Sequence, residues 1–545
     1  MSINAKITSR FLSLCGRACT RAALVCLPAF AGAAATAADL PKLVTQNGRH
    51  ALMVDGAPFI MLGAQANNSS NYPAMLPKVW PAIEQLHANT LEIPVAWEQI
   101  EPQEGKFDFS YVDTLLAQAR EHQMRLVLLW FGTWKNNGPS YTPEWVKLDN
   151  KRFPRVITVN AETRDSLSPL FPATLEADRK AFVRLMQHLK QSDPRHTVIM
   201  VQVENETGTY GSVRDYSPTA QKLFDGPAPA TLVKALKKQP GTWSQAFGQD
   251  ADEYFHAWHI ARFVEQVAAA GKAEYPLPMS VNVALRDPFK PQNPLSYSAG
   301  GPTWNVLDVW KAGAPTIDVI APDIYDSHYD FYMRTIEQYR RSDNALFIPE
   351  TGNKPEFSRY FFAALGARAI GFAPFGLDFT GYANFPLGAP TVDADLVEMF
   401  APNYRLVAPM MRELAALSFA GKVWGAAEPT ETHENSVQLG ERWKVIATYG
   451  RPQMGNDPPK GNPQPSGGVL IAELGPDEFL LTGFRVRVNF ARAQGDGRFM
   501  MARVEEGRYE NGGWVFDRVW NGDQTDSGLN LTSLPQVLRV RLASY

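Results

Sequence analysis

Residues 198–208 read VIMVQVENETG, an apolar run that passes directly into polar residues. Valine and isoleucine favour β-strands, and a continuous apolar run is typical of a strand buried on both faces of a parallel sheet. The side chains of a strand alternate between its two faces, so Glu204 and Glu206 are predicted to point the same way, and one of them can be structural. Glu206 lies nearer the C-terminal end of the run. The segment therefore predicts a buried strand that ends in a carboxylate.

The same pattern recurs from Pro41 onward, where short apolar runs alternate with amphipathic stretches of helical spacing. Such alternation is typical of βα units that build a parallel sheet. The predicted strands are 59–63, 90–95, 126–131, 198–203, 277–283, 317–324, 345–349 and 369–375. Eight strands favour a closed (β/α)8 TIM barrel, whose active site forms at the C-terminal ends of the strands. The alternative is a doubly wound open sheet, but its glycine-rich phosphate turn is missing after the first strand.

The pattern changes near residue 420. Antiparallel strands are predicted at 442–448, 468–474, 479–489 and 537–542. We therefore predict a catalytic barrel over residues 39–420, followed by a smaller, sandwich-like antiparallel β domain over residues 421–545. This second domain could pack against the barrel or bind glycans independently, because a fold alone does not assign a function.

The first 38 residues have the three-part organisation of a secretory signal peptide. Basic residues come first, an apolar run follows at 22–35, and small residues end the segment at Ala38. A membrane anchor is the weaker alternative, since the run is shorter than the ~20 residues that span a bilayer. All three cysteines of the chain lie in this segment. The mature protein is therefore expected to be exported, to the periplasm or the medium, and to lack disulfides and thiolate sites.

Composition narrows the classes of function. The 545 residues, 45% of them hydrophobic, can bury a large core. A formal net charge of -3 is too small to suggest a surface that binds nucleic acid, so an uncharged substrate fits better. No later segment approaches a membrane span, and no zinc-protease, serine-hydrolase or phosphate-loop motif is present. We therefore expect no nucleic acid or membrane partner, no metal and no cofactor.

A second apolar run, 345–349, also ends in a carboxylate, Glu350. Strands four and seven face each other across an eight-stranded barrel, so Glu206 and Glu350 are expected to meet across its mouth. Cleavage of a glycosidic bond needs two such groups, one to protonate the leaving oxygen and one to attack or to activate water. The ends of these two strands can therefore place the two carboxylates on either side of a bound sugar, as this reaction requires.

Over most of residues 62–375 the chain resembles glycoside hydrolase family 35, the β-galactosidases of a large barrel clan. The resemblance rests on NTLEIPVAWE at 89–98, EP at 101–102 with GKFDF at 105–109, and VQVENE at 201–206. It implies a retaining, exo-acting β-galactosidase, with Glu206 as acid/base and Glu350 as nucleophile. Another retaining β-glycosidase of the clan and an inactive glycan-binding barrel remain alternatives. The presence of both glutamates argues against the inactive barrel.

The resemblance also implies residues that bind the substrate. Asn205 is expected to bind the sugar hydroxyl next to the reacting carbon, although it could be a turn residue. Tyr325, which could instead merely pack, is expected to hold the nucleophile ionised. Since an acid and a nucleophile hold opposite protonation states, we expect a raised pKa for Glu206 and a lowered pKa for Glu350. Glu92, in the segment 89–98, is also expected to bind the substrate.

Two kinds of side chain near the presumed cleft are further candidates. Family members often carry Ala-Glu after strand three, where this chain has asparagines, so Asn136 or Asn137 is predicted to hydrogen-bond the sugar instead, and Asn136 is preferred. Sugars stack on aromatic rings, but large aromatic residues also fill cores. The aromatic candidates are Trp97, Trp130, Phe131, Trp134, Trp304 and Phe375. Trp134 and Trp304 are preferred as sugar contacts, because they lie in polar loop contexts.

Overall fold

The computed structural model describes residues 39–451, 457–495 and 497–545, so the predicted signal peptide and the cysteines lie outside the described residues. The strands are β1 (Lys42–Gln46), β2 (Arg49–Val54), β3 (Ala57–Phe59), β4 (Met61–Gln65), β5 (Thr90–Ala96), β6 (Arg125–Lys135), β7 (Arg155–Ile157), β8 (Thr163–Leu167), β9 (Val198–Asn205), β10 (Met279–Ala284), β11 (Val319–Ile324), β12 (Ile348–Thr351), β13 (Gly371–Pro374), β14 (Val423–Ala427), β15 (Glu434–Leu439), β16 (Trp443–Thr448), β17 (Gly468–Gly475), β18 (Glu478–Phe484), β19 (Val486–Arg492), β20 (Phe499–Glu510), β21 (Gly513–Val519), β22 (Leu529–Leu531) and β23 (Val537–Ser544). The helices are α1 (Leu76–Leu86), α2 (Trp97–Ile100), α3 (Ser110–Glu121), α4 (Glu144–Lys147), α5 (Pro172–Ser192), α6 (Pro218–Phe224), α7 (Ala230–Ala235), α8 (Trp243–Phe247), α9 (Ala251–Glu274), α10 (Leu307–Gly313), α11 (Tyr329–Tyr339), α12 (Tyr360–Gly366), α13 (Ala394–Glu398), α14 (Ala401–Val407) and α15 (Met411–Phe419). None of these helices is both long and apolar enough to cross a lipid bilayer.

Eight strands close into a barrel in the order β4-β5-β6-β9-β10-β11-β12-β13, and every neighbouring pair is parallel. Each of the eight predicted strands overlaps one of them, so the (β/α)8 barrel is confirmed. Helices α1, α3, α5, α9, α10, α11 and α12 connect successive barrel strands. This connectivity places the C-terminal ends of all eight strands on one face.

The barrel strands are apolar on both faces, as the sequence indicated. In β6, Leu126 and Leu128 pack in the layer between strands and helices, whereas Val127 and Leu129 pack inside the barrel. A small antiparallel sheet of β1, β2 and β3, absent from the predicted strands, adds Leu52 to the interior cluster. Burial on both faces explains why these strands read as continuous apolar runs.

Residues from Val423 onward form two antiparallel sheets, in the orders β14-β17-β18-β23-β20-β21 and β15-β16-β19-β22. The sheets share a core that includes Val445 and Ile471, so the antiparallel sandwich is confirmed. Leu470 and Phe484 belong to the barrel's main apolar cluster instead, and the Phe484 ring lies 6.2 Å from that of Phe362 in α12. The domain therefore packs directly on the barrel. The boundary at residue 420 stays a prediction.

The predicted strand 479–489 is two strands in the structure. Its break falls at Arg485, whose φ of 53° lies in the left-handed region. At this residue the chain leaves the six-stranded sheet as β18 and enters the four-stranded sheet as β19. The apolar pattern continues across the break because both strands face the shared core, so the pattern alone does not reveal the change of sheet.

Candidate active site

A cavity of about 390 Å³ opens at the C-terminal ends of the barrel strands, and we call it the carboxylate cavity. Glu206 directly follows β9, Asp323 lies in β11, and Glu350 lies in β12. One carboxylate oxygen from each of the three lies within 4.8 Å of the others. The closed barrel thus brings together the two glutamates that the sequence singled out, and it adds an aspartate beside them.

The end of β9 departs from strand geometry. Glu204 and Glu206 have φ values of 63° and 45°, in a region that non-glycine residues seldom occupy and that is associated with functional sites. The predicted shared direction is therefore wrong. Glu204 is buried beside Asp178 of α5 and accepts a hydrogen bond from the backbone N–H of Trp134 (2.8 Å). Burial, then the Asp178 charge, raise the pKa of Glu204 well above its usual range, as befits a structural acid.

Glu206 turns into the cavity and its backbone is held from two sides. Its N–H donates to Asn282 Oδ1 (2.9 Å), and its carbonyl accepts a hydrogen bond from Asn137 Nδ2 (2.6 Å). Asn282 also donates from Nδ2 to Asp323 Oδ2 (2.8 Å). One asparagine of β10 therefore fixes the positions of Glu206 and Asp323 relative to each other.

Glu350 is 4% exposed and accepts hydrogen bonds from Tyr325 Oη (2.5 Å) and from Gln65 Nε2 (3.1 Å). Burial, then the charge of Glu206, raise its pKa to about 7, against the opposing effects of Lys135, Tyr325 and Gln65. The prediction of a lowered pKa for Glu350 is therefore wrong. Tyr325 does act in the expected direction, but burial outweighs it.

Asp323 is a third acid that the sequence analysis did not assign to the site. Burial is the largest of the effects that raise the pKa of Asp323 well above its usual range, and the charges of Glu350 and Glu206 add to it. Asp323 Oδ2 accepts the hydrogen bond from Asn282, and Oδ1 is buried without a hydrogen-bond partner among the described residues. Burial and neighbouring negative charges both disfavour the ionised form of a carboxyl group, so the surroundings of Asp323 favour its neutral form.

Lys135 supplies the fixed positive charge of the cavity. It ends β6, is 5% exposed, and donates from Nζ to Asn136 Oδ1 (2.5 Å) and Asn205 Oδ1 (2.8 Å). Its charge lowers the pKa of both Glu350 and Asp323. The three carboxylates could offer ligands to a metal ion, and the ammonium of Lys135 is a cation already built into their surroundings.

The polar residues that were predicted to bind the substrate lie in different environments, some at the cavity and some buried. Asn136 is exposed and lines the cavity, and Tyr325 lines it as well. Asn205 is buried, and its amide nitrogen has no hydrogen-bond partner among the described residues. Glu92 does not lie where a substrate-binding residue was predicted: it is fully buried inside the barrel and outside the cavity lining. Burial and the Glu350 charge raise its pKa well above the usual range.

Trp134 and Trp304, the tryptophans preferred as sugar contacts, also lie outside the cavity lining. Trp134 is 1% exposed, packs against Phe263 of α9 with ring centroids 4.7 Å apart, and donates to the Leu167 carbonyl (3.1 Å). Trp304 is partly buried under Arg286 and lies outside the cavity lining. Their polar neighbours in the sequence suggested exposed loops, but both rings pack toward the core. The remaining aromatic candidates divide between core and cavity: Trp97, Trp130 and Phe131 are buried, and Phe375 lines the cavity.

Sequence reasoning missed four further residues of the site. Gln65 and Lys135 end barrel strands β4 and β6, Asn282 lies in β10, and Tyr210 lines the cavity from the segment after β9. Gln65 and Lys135 could have been found by the rule that led to Glu206, namely a polar residue at the C-terminal end of an apolar run. The long segment between β9 and α6 thus contributes a side chain to the cavity through Tyr210.

Two segments of the chain match known families. Residues 77–271 match the family Glyco_hydro_42, described as beta-galactosidase, and residues 400–532 match DUF5597, a domain of unknown function. The first match contains β5, β6, β9 and Glu206, and the second contains α14, α15 and most of the antiparallel sheets.

Two curated proteins are similar over part of their length. Beta-galactosidase BgaA of Thermus sp is 29% identical over 163 residues, which are 28% of this chain and 23% of that protein. The beta-galactosidase of Xanthomonas manihotis is 29% identical over 200 residues, which are 36% of this chain and 31% of that protein.

Solved structures that align with part of the chain include the beta-galactosidase of the psychrophilic Marinomonas ef1, with a TM-score of 0.47, 12% identity, and coverage of 66% of this chain and 62% of that one. The cold-adapted beta-galactosidase from Rahnella sp. R3 has a TM-score of 0.45, 16% identity, and coverage of 66% and 58%.

The match over residues 77–271 shows that this part of the barrel is similar to a glycoside hydrolase family, in line with the sequence-based prediction. The matching family is the beta-galactosidase family Glyco_hydro_42. The resemblance to β-galactosidases is thus supported, and family 35 in particular stays a prediction. The chain aligns with less than a third of the length of these curated relatives.

Proposed function

We propose that the protein is a retaining, exo-acting β-galactosidase that removes terminal β-galactosyl residues from oligosaccharides or from plant-type polysaccharide side chains. The observation that carries the proposal is the approach of Glu206 and Glu350 oxygens to within 4.8 Å. Inverting enzymes hold their carboxyl groups about 6.5–9.5 Å apart to admit a water, whereas retaining enzymes need about 5–5.5 Å. The names of the similar proteins support galactose as the sugar.

In this proposal Glu350 attacks the anomeric carbon and Glu206 protonates the leaving oxygen. Glu206 then removes a proton from the water that releases the sugar. Tyr325 and Gln65 each donate to one oxygen of Glu350, so the carboxylate is held in one orientation before attack. Hydrogen bonds to an ionised carboxylate favour that form, which opposes the effect of burial on Glu350.

Asn205 is the best candidate for the sugar's hydroxyl next to the reacting carbon. Its oxygen is engaged by Lys135, and its amide N–H groups have no partner among the described residues. A buried donor without a partner is unfavourable, so a ligand hydroxyl that accepts from it would be bound selectively. Asn136, joined to the same lysine, is the second candidate.

The size of the carboxylate cavity supports exo-action. Its volume of about 390 Å³ lies at the lower end of the range for ligand pockets. The segment after β13 adds Tyr382, Asn384 and Leu387 to the lining, beside the strand ends. A cavity of this size suits a terminal sugar better than the middle of a long chain.

A panel of nitrophenyl glycosides tests the sugar. We expect the β-galactoside to be hydrolysed with the highest kcat/KM. Preference for another β-glycoside would support the alternative, a different retaining β-glycosidase of the clan. Failure to hydrolyse any member would favour an inactive glycan-binding barrel and contradict the proposal.

The roles of the two glutamates are tested by azide rescue. With Glu350→Gly, azide occupies the space of the nucleophile and attacks an activated β-galactoside once, so the product should be α-galactosyl azide. With Glu206→Ala, Glu350 still forms the intermediate and azide should give β-galactosyl azide. Without azide, either change should lower the rate on a natural substrate by about 10²-fold or more, since general acid–base catalysis alone contributes that much. Anomers in the reverse order would contradict the assignment, and near-normal activity of both variants would contradict the site.

We further propose that the protein is exported and acts without nucleic acid, membrane, metal or cofactor. The three-part pattern of residues 1–38 supports export to the periplasm or the medium. N-terminal sequencing of the protein secreted by its own host tests it. Residues that begin near position 39 are expected, and an intact N-terminus would contradict it.

A further inference from the structure

A second cavity lies beside the carboxylate cavity, and we call it the adjacent groove. Its volume is about 780 Å³, twice that of its neighbour, and it lies between the end of β6, the hairpin of β7 and β8, and the segment after β9. Asn136 and Tyr210 line both cavities. The two cavities therefore adjoin at these two exposed side chains, past which a ligand in one can reach the other.

The adjacent groove lies on the side of Glu206. Asn137, which lines the groove, donates from its backbone N–H and from Nδ2 to the Glu206 carbonyl (3.2 and 2.6 Å). Tyr210, which separates the two cavities, is close enough for the Glu206 charge to act on its hydroxyl. A general acid must stand next to the leaving oxygen. If Glu206 is that acid, the leaving part of the substrate extends into this groove.

The far part of the groove is rich in positive charge. Its lining includes Lys147, Arg155 and Arg164, against one exposed carboxylate, Asp165. Lys147 is paired with Glu98 (3.0 Å), a residue outside the lining. The whole chain has a net charge of -3, so this concentration of cations is local.

The two arginines are incompletely satisfied. Arg155 makes no ion pair with a carboxylate of the described residues, and its guanidinium donates to the Lys147 carbonyl (2.7 Å). Arg164 reaches Glu162 at only 3.5 Å, and its Nε is buried without a hydrogen-bond partner. Guanidinium groups with free donors bind carboxylate and sulfate groups through paired hydrogen bonds.

The position of Arg164 depends on a glycine. Gly211 has a φ of +73°, and a Cβ there would lie 3.0 Å from the Cζ of Arg164. The guanidinium instead lies against the bare backbone and donates to the Gly211 carbonyl (3.1 Å). The groove thus holds this cation in one place, on the segment that also carries Tyr210.

We propose that the adjacent groove binds the leaving part of the substrate and selects glycans that carry an anionic group, a carboxylate or a sulfate, on that part. The proposal rests on the proposed function, because it uses Glu206 as the acid. It replaces the uncharged substrate that the net charge of the chain suggested. Asn136 and Tyr210 contact the sugar next to galactose, and Arg155 and Arg164 bind its anionic group.

Three disaccharides of equal linkage test the selection: galactose β-linked to glucose, to glucuronate, and to glucose 6-sulfate. We expect kcat/KM to be about tenfold or more higher for at least one charged disaccharide than for the neutral one, as hydrogen bonds to charged groups imply. Preference for the glucuronate or for the sulfate identifies the anionic group. The charged preference should weaken with rising salt, because exposed charges are screened. Equal or better cleavage of the neutral disaccharide would overturn the proposal.

Variants connect the preference to the arginines. Arg155→Gln with Arg164→Gln should lower the charged-to-neutral ratio of kcat/KM about tenfold, toward one. Arg334→Gln is the matched control, since this exposed arginine of α11 pairs with Glu337 and lies outside the groove lining. An unchanged ratio in the double variant, or an equal fall in the control, would overturn the proposal. If the wild-type protein does not hydrolyse nitrophenyl β-galactoside, the proposed function fails instead.

Discussion

Glu350 is surrounded by groups that act on its ionisation in opposite directions. Burial and the nearby Glu206 hold its pKa at about 7, while Lys135, Tyr325 and Gln65 favour the charged form. A nucleophile reacts as the carboxylate, so the protein must gain activity as Glu350 loses its proton. The acidic limb of the pH–rate profile therefore reports these neighbours.

Removal of the tyrosine hydroxyl tests this balance. Tyr325→Phe deletes a donor that stabilises ionised Glu350, so the pKa of Glu350 should rise. The acidic limb of kcat/KM should move to higher pH, and activity at pH 6 should fall more than activity at pH 8. Tyr329→Phe is the matched control, because its hydroxyl bonds Asn435 (3.0 Å) and makes no contact with Glu350. A limb that stays in place, or one that moves to lower pH, would show that Tyr325 does not act on the nucleophile.

At the scale of elements, helix α12 and strand β14 approach each other through two glycines. A Cβ on Gly366 would lie 2.0 Å from the backbone nitrogen of Gly425, closer than any side chain can tolerate. This contact joins the barrel to the six-stranded sheet. The spacing of the two elements therefore depends on the absence of a side chain at Gly366.

The contact predicts an unusual result for a helix. Gly366→Ala, at the last residue of α12, should favour the helix by at most about 1 kcal/mol, yet we expect net destabilisation of about 1–3 kcal/mol because the methyl group forces the backbones apart. Differential scanning calorimetry measures the change as a lower Tm. Gly497→Ala is the control, since a Cβ there meets nothing within 4 Å. Unchanged or increased stability of Gly366→Ala would mean that the two elements can separate freely.

At the scale of the whole molecule, the barrel and the antiparallel domain share one apolar cluster. Leu470, Leu480 and Phe484 of the sheet lie in the same cluster as the barrel helices. Unfolding of either domain would expose the apolar surface that the other one covers, which couples their unfolding. We therefore expect one calorimetric transition for the mature protein, and removal of the residues after 420 should leave an aggregating barrel with exposed apolar surface. Two separate transitions, or a soluble and equally stable truncated barrel, would contradict this.

The sequence by itself determined the architecture and the principal carboxylates. Eight apolar runs specified the barrel, because strands buried on both faces must be apolar throughout. Glu206 and Glu350 could be found because each ends such a run, and the parallel closure of a barrel carries all strand ends to one face. The antiparallel sandwich was found from alternation alone, whereas the small sheet of β1–β3 was not among the predicted strands.

The tertiary structure alone decided the rest of the site. Left-handed backbone at Glu204 and Glu206 sends these two side chains in different directions, and strand alternation cannot reveal a local reversal. Lys135 and Asp323 influence Glu350 only once β6, β11 and β12 have met, since electrostatic effects depend on distance in space and on burial. For the same reason the ionisation of Glu350 was wrongly expected from its role. A sequence orders residues along the chain, and the chemistry of this cavity depends on residues far apart in that order that the closed barrel places within a few ångströms.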